Sequence, residues 1–188
     1  VADLDGDGDM DVVGGNHNGF TTYIRQTTTI TASGIVGDFN GWMNYTLPFT
    51  PYEWNTTGSQ DDFNIKSMSL ADADNDGDLD LSYVLEDYGG ASTPAVCIHE
   101  NTDGLGNFSE QPIWCDMPMT ESSDIAWADF DNDGDSDFAV AASGKPVIVY
   151  VNDGGGSGFT KMELNHPQCI ANCELRSVAW IDLDNDGY

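Results

Sequence analysis

Basic residues are almost missing from this chain. Of 188 residues, 5 are Lys or Arg against 33 Asp and Glu, giving a formal net charge of −28. There is no cationic patch to neutralise phosphates, which excludes nucleic acid as a partner. No run approaches the roughly 18 apolar residues of a membrane span, and no segment carries helical periodicity of useful length. Histidine is scarce and scattered (His17, His99, His166). No serine nucleophile elbow, HExxH or phosphate loop occurs, so the chain is expected not to be an enzyme. An initiator Met and a signal peptide are also missing.

The acid is clustered. DLDGDGDMD (Asp3 to Asp11) returns as DADNDGDLD (Asp72 to Asp80) and DFDNDGDSD (Asp129 to Asp137), and DLDNDGY begins a fourth copy at Asp182. Carboxylates at positions 1, 3 and 5 converge on one hard cation, Gly at position 6 allows the sharp turn, and position 7 offers its carbonyl. Asp11, Asp80 and Asp137 at position 9 close the shell. The motifs hold more than half of all acidic residues, and a net charge this large opposes a compact state unless a cation neutralises it. Three to four structural Ca²⁺ ions are expected. The EF-hand alternative needs a bidentate acid at position 12, where Gly14, Tyr83 and Val140 stand.

Four cysteines, Cys97, Cys115, Cys169 and Cys173, suit disulfides, and the local pairing Cys97–Cys115 with Cys169–Cys173 is one of three connectivities. A zinc site would draw on His166, Cys169 and Cys173, without a fourth nearby ligand. Asn44, Asn55 and Asn107 head Asn-X-Ser/Thr sequons. Weak calcium loops, disulfides and glycans agree on a secreted or cell-surface setting.

First-position aspartates at 3, 72, 129 and 182 are spaced 69, 57 and 53 residues apart, a period of propeller blades or another repeat array. An apolar run precedes each loop and two more follow it. A Gly/Asn turn, ENTDGLGNF (Glu100 to Phe108) or VNDGGGSGF (Val151 to Phe159), leads to a fourth. The reading is all-β, with four-stranded antiparallel blades. One repeat array fills the chain: residues 1–64, 65–120, 121–175 and the start of a further blade at 176–188. Both ends cut through a motif, so further blades are expected from a longer chain or from other subunits.

The first interval is longer through Gly37 to Ser59, rich in aromatics. A long loop or extended hairpin accounts for it. The alternative is an exposed surface on which Trp42, Tyr52 and Trp54 stack sugars or meet a protein. GDFNGW within it resembles a phrase of starch-binding modules, and Asp38 and Asn40 fit a degenerate calcium motif equally well.

DLDGDGDMDVV, DADNDGDLDLSYV and DFDNDGDSDFAV, with IHENTDGLGNF and VYVNDGGGSGF downstream, resemble the FG-GAP/VCBS repeats of integrin α-subunit propellers and many secreted bacterial proteins. The resemblance implies a loop joining the first two strands of each blade. Its ligands would be the side chains of Asp3, Asp5, Asp7 and Asp11 with the carbonyl of Asp9. Asp72, Asp74, Asp76 and Asp80 with Asp78, and Asp129, Asp131, Asp133 and Asp137 with Asp135, would take the same roles. Asp182, Asp184 and Asp186 match in the fourth copy, which lacks position 9. The function implied is extracellular adhesion, protein interaction or surface and filament assembly, with a protein or glycan as partner. A lectin-type propeller is the alternative, and part of a polysaccharide-active enzyme a third reading.

Overall fold

A computed structural model describes residues 2–4, 6, 8, 10–15, 21–24, 27–31, 34–38, 45–46, 64–86, 96–116, 122–164 and 174–183. Among them the chain is all-β. The strands are β1 (Val12–Gly15), β2 (Thr21–Ile24), β3 (Thr27–Thr31), β4 (Gly34–Asp38), β5 (Tyr45–Thr46), β6 (Asn64–Ala71), β7 (Asp80–Glu86), β8 (Val96–His99), β9 (Trp114–Asp116), β10 (Ser122–Ala128), β11 (Asp137–Ala142), β12 (Val147–Asn152) and β13 (Phe159–Leu164).

Two four-stranded antiparallel sheets, β6-β7-β8-β9 and β10-β11-β12-β13, follow chain order as meanders. They are blades of the propeller type. The first repeat gives a three-stranded sheet, β1-β2-β5, and a separate hairpin, β3-β4. The extra length of that repeat therefore starts earlier than the aromatic count suggests. A hairpin over 27–38 stands between the third-strand equivalent and Tyr45–Thr46. Asp38 pairs with Thr27 at the end of that hairpin, and Asn40 lies outside the described residues, as do Trp42, Tyr52 and Trp54.

Each blade is buried on both faces, so its middle strands read as nearly unbroken apolar runs rather than as alternation. Along β7, Leu81, Tyr83 and Leu85 point one way and join Leu4, Cys97 and Phe108. Val84 points the other way and meets Val96, Ile98, Phe138, Val140, Ile148 and Tyr150. One strand thus contributes to two cores, and each large side chain so buried contributes about 1.5–3 kcal/mol. Trp114 from β9 and Trp127 from β10 lock the second core from its sides: both pack on Phe138 and Phe159, and Trp114 also meets the Tyr150 ring at 5.3 Å. The buried hydroxyl in the middle of β7 is satisfied. Ser82 donates to the Ser69 carbonyl at 2.9 Å and accepts the Trp127 indole N–H at 2.8 Å.

The first strands of successive repeats lie side by side in step. Ser67, Asp124 and Ser177 occupy equivalent positions, and the Asp124 carboxylate accepts both serine hydroxyls at 2.6 Å and the Val178 N–H at 3.1 Å. A bulge falls at the same place in both complete first strands, between Ile65 and Ser67 and between Ser122 and Asp124. Recurrence of a bulge at one repeat position marks it as part of the blade's design. Cys97 and Cys115 face each other across β8 and β9 and are bonded. Cys169 and Cys173, with His166, lie outside the described residues.

Candidate metal centre

The second and third acid loops are hairpins between a first and a second strand, and the first three loops are closed by the same pair. Ala71 faces Asp80, Ala128 faces Asp137, and Ala2 faces Asp11. The position-9 carboxyl is buried at 0–2 % exposure and folds back over the loop. Its Oδ2 accepts the N–H of position 2: Leu4 at 2.9 Å, Ala73 at 2.9 Å and Phe130 at 2.7 Å. In the two complete blades its Oδ1 accepts the N–H of an asparagine at the end of the third strand, Asn101 or Asn152, both at 2.8 Å.

Position 1 gathers the turn. Asp72 accepts from the N–H groups of Asp76 and Gly77, and Asp129 from those of Asp133 and Gly134, all at 3.1 Å. Asp3 holds the Gly8 N–H at 3.0 Å in the same way. Position 5 accepts the N–H of position 7 at 2.9 Å, in Asp76 and in Asp133. These turns need left-handed backbone at two places. Position 4 has φ of 71° in Gly6, 63° in Asn75 and 57° in Asn132, and position 6 has 91°, 97° and 98° in Gly8, Gly77 and Gly134. Asn is among the few side-chain residues that tolerate the first of these, and Gly suits the second. That is the local reason for the D-x-D-[GN]-D-G pattern.

The result is convergent carboxylates. Oxygens of Asp72, Asp74 and Asp80 lie within 4.8 Å of one another, as do those of Asp129, Asp131 and Asp137. Hard oxygen donors at such separations suit a cation that takes them at 2.3–2.6 Å each. Like charges at this range raise the carboxyl pKa values. Burial, against the N–H bonds from Asn101 and Ala73 and with the charges of Asp74 and Asp76, pushes Asp80 up to about 6. Asp74 is raised by desolvation and then by Asp76, and Asp131 by desolvation and then by Asp133 and Asp137. A bound dication would reverse that sign.

Positions 1, 3 and 9 are thus brought together in both complete loops. Position 5 behaves differently: Asp76 joins Asp74 and Glu100 in a second cluster. Position 7 turns its side chain outward: Asp135 accepts the Asn75 amide of the preceding loop at 2.6 Å, and Asp78 lies against the Gly104 turn. Asp5, Asp7, Asp9, Asp184 and Asp186 are outside the described residues, and Asp182 is exposed at the start of the fourth copy. Sequence reasoning missed Glu100, Asn101 and Asn152. The only signal was the shared Asn in HEN and YVN, which reads as turn chemistry.

Of the sequons, Asn107 is described, exposed in the turn before β9, with its amide donating to Asp103 at 2.6 Å; Asn44 and Asn55 are outside. His99 is buried in β8, opposite Leu81. Its Nδ1 donates to the Ser109 carbonyl at 2.8 Å, leaving Nε2 to accept the Tyr83 hydroxyl at 3.3 Å.

Residues 129–188 match the family model of the FG-GAP-like repeat. No curated protein and no solved structure matches the chain. The third loop, the strands β11, β12 and β13 that follow it and the beginning of the fourth copy all fall within the matched stretch. Over residues 129–188 the chain is thus similar to an FG-GAP-like repeat.

Proposed function

We propose that this chain is an extracellular, calcium-stabilised β-propeller module without catalytic activity, serving adhesion, protein interaction or surface and filament assembly. The observation that carries the reading is the repeated loop. Two complete copies turn the same carboxylates inward, at positions 1, 3 and 9, while their backbone N–H groups fix the carboxylates from outside. Such a loop suits a hard dication, and binding to the folded loop alone stabilises the fold by mass action. An ion held this way is structural, so partner recognition falls to the blade surfaces and their loops.

The interaction role is supported by the FG-GAP-like repeat, a unit of β-propeller-like interaction modules. The extracellular setting is supported by the Cys97–Cys115 disulfide, by exposed Asn107 and by loops of a type needing abundant calcium. No helix among the described residues is long and apolar enough to cross a membrane. The test is thermal unfolding in millimolar calcium against excess EGTA, followed by partner screening in both. A large calcium-dependent rise in the midpoint is expected; equal midpoints would refute the structural-ion reading.

A further inference from the structure

The third strand of each complete blade ends on a buried asparagine, Asn101 just after β8 and Asn152 closing β12. Within its own repeat, each gives its backbone N–H to the position-9 carboxylate, Asp80 or Asp137. Each also accepts an N–H of its own turn on Oδ1, from Gly106 at 3.0 Å or Gly154 at 3.1 Å. The amide nitrogen then crosses to the preceding repeat. Asn101 Nδ2 donates to the Leu4 carbonyl at 3.3 Å, and Asn152 Nδ2 to the Ala73 carbonyl at 2.8 Å, with a further bond to its own Ser136 carbonyl at 3.1 Å.

Leu4 and Ala73 are both position 2 of an acid loop, the residue standing between the carboxylates of positions 1 and 3. Its N–H is held by the position-9 carboxylate of the same loop. Its carbonyl is held by the next blade. In the second loop this pins the peptide joining two members of the Asp72, Asp74 and Asp80 cluster from both sides. The following turn closes over the same place. A Cβ at Gly156, where φ is 66°, would stand 2.9 Å from the Asp74 Cβ and 3.0 Å from the Ala73 carbonyl oxygen. Only a residue without a side chain fits that approach.

We propose that each acid loop is completed by the repeat that follows it, with Asn101 and Asn152 as positioning residues that couple ion binding to docking of the next blade. The proposal rests on the calcium reading above. Coupling of this kind is reciprocal: a loaded loop holds the next blade more tightly, and a docked blade raises the loop's affinity. Calcium then stiffens the array across its blade interfaces, not merely within each loop.

Calcium titration calorimetry on the full chain tests it, in a background of Asp5→Ala, Asp131→Ala and Asp182→Ala that leaves the loop of residues 72–80 as reporter. Adding Asn152→Ala should raise the calcium Kd of that loop about tenfold, the value of one positioned buried hydrogen bond. The midpoint difference between calcium and EGTA should shrink with it. If Asn152 is only a structural staple, both midpoints fall equally and the Kd stays put, which overturns the proposal while leaving calcium binding intact. If the reporter background itself binds no calcium, the calcium reading falls and takes the coupling with it. Should Asn152→Ala lose its β-type circular dichroism, Gly156→Ala carries the test: the same weakening is expected, and an unchanged Kd overturns the proposal.

Discussion

Aspartates at different positions of the repeated loop do different work although the sequence repeats the loop almost unchanged. Asp80 is buried and satisfies two backbone donors, Ala73 and Asn101, so its first role is to hold the hairpin shut. Asp131 is exposed, and the neighbouring carboxylates work against its charge. Asp80→Ala should therefore destabilise the chain by about 2 kcal/mol or more even in EGTA, because two buried N–H groups lose their acceptor. Asp131→Ala should leave the EGTA midpoint in place or raise it slightly, and reduce only the gain on adding calcium. Urea unfolding of both variants with and without calcium separates the roles; equal losses in EGTA would contradict it. His99 gives a pH signature of its own. Burial pushes it down to about 4 from an ordinary 6.5, against the hydrogen bond to Ser109. The unfolded chain takes up that proton first, so stability should fall as pH drops from about 6.5 to about 4 and level off below. The full span is worth up to about 3 kcal/mol. His99→Gln should flatten that part of the profile relative to the parent; parallel profiles would mean that the ring titrates alike in the folded and the unfolded chain.

Strands were legible where their chemistry is local. Leu79 to Leu85 and Phe138 to Ala142 announce β7 and β11 because a run buried on both sides needs apolar residues at every step. The loops were legible because their ligand spacing and their Gly and Asn positions are set by a few consecutive backbone angles. Glu100 and Asn101 were not. They reach the loop of residues 72–80 only because β7 and β8 pair in the register Leu81 with His99, and no local pattern states that register. The β3-β4 hairpin escaped for a related reason: its threonines and glycines carry no apolar alternation to set it apart from a loop. Asp124 is a further long-range case, a lone acid in an apolar first strand that ties three repeats through Ser67, Ser177 and Val178. Desolvation opposes its charge, but these hydrogen bonds hold its carboxyl below the usual range. Asp124→Ala should loosen the packing of the first strands at a cost of about 1–2 kcal/mol. Hydrogen exchange should rise along β6 and β10 together; a rise confined to β10 would show that the carboxylate does not join the repeats.

The whole molecule carries −28 charges, and neighbouring loops stand close enough for Asn75 to reach Asp135 at 2.6 Å. Self-repulsion is therefore concentrated where the loops gather, not spread evenly over the surface. Two remedies exist, and they act at different ranges. Calcium bound as proposed would cancel charge inside a loop, whereas salt screens between loops, with the Debye length falling from about 10 Å at 0.1 M to about 3 Å at 1 M. Without calcium, the unfolding midpoint should climb steeply over that range of sodium chloride, because the compact state suffers most from repulsion. With millimolar calcium the loops are already neutralised in part, and the same salt should change the midpoint far less. Thermal unfolding by circular dichroism at several salt concentrations, in EGTA and in calcium, measures both slopes. Two equal slopes would place the repulsion that limits stability outside the acid loops, and the ions would then contribute through geometry alone.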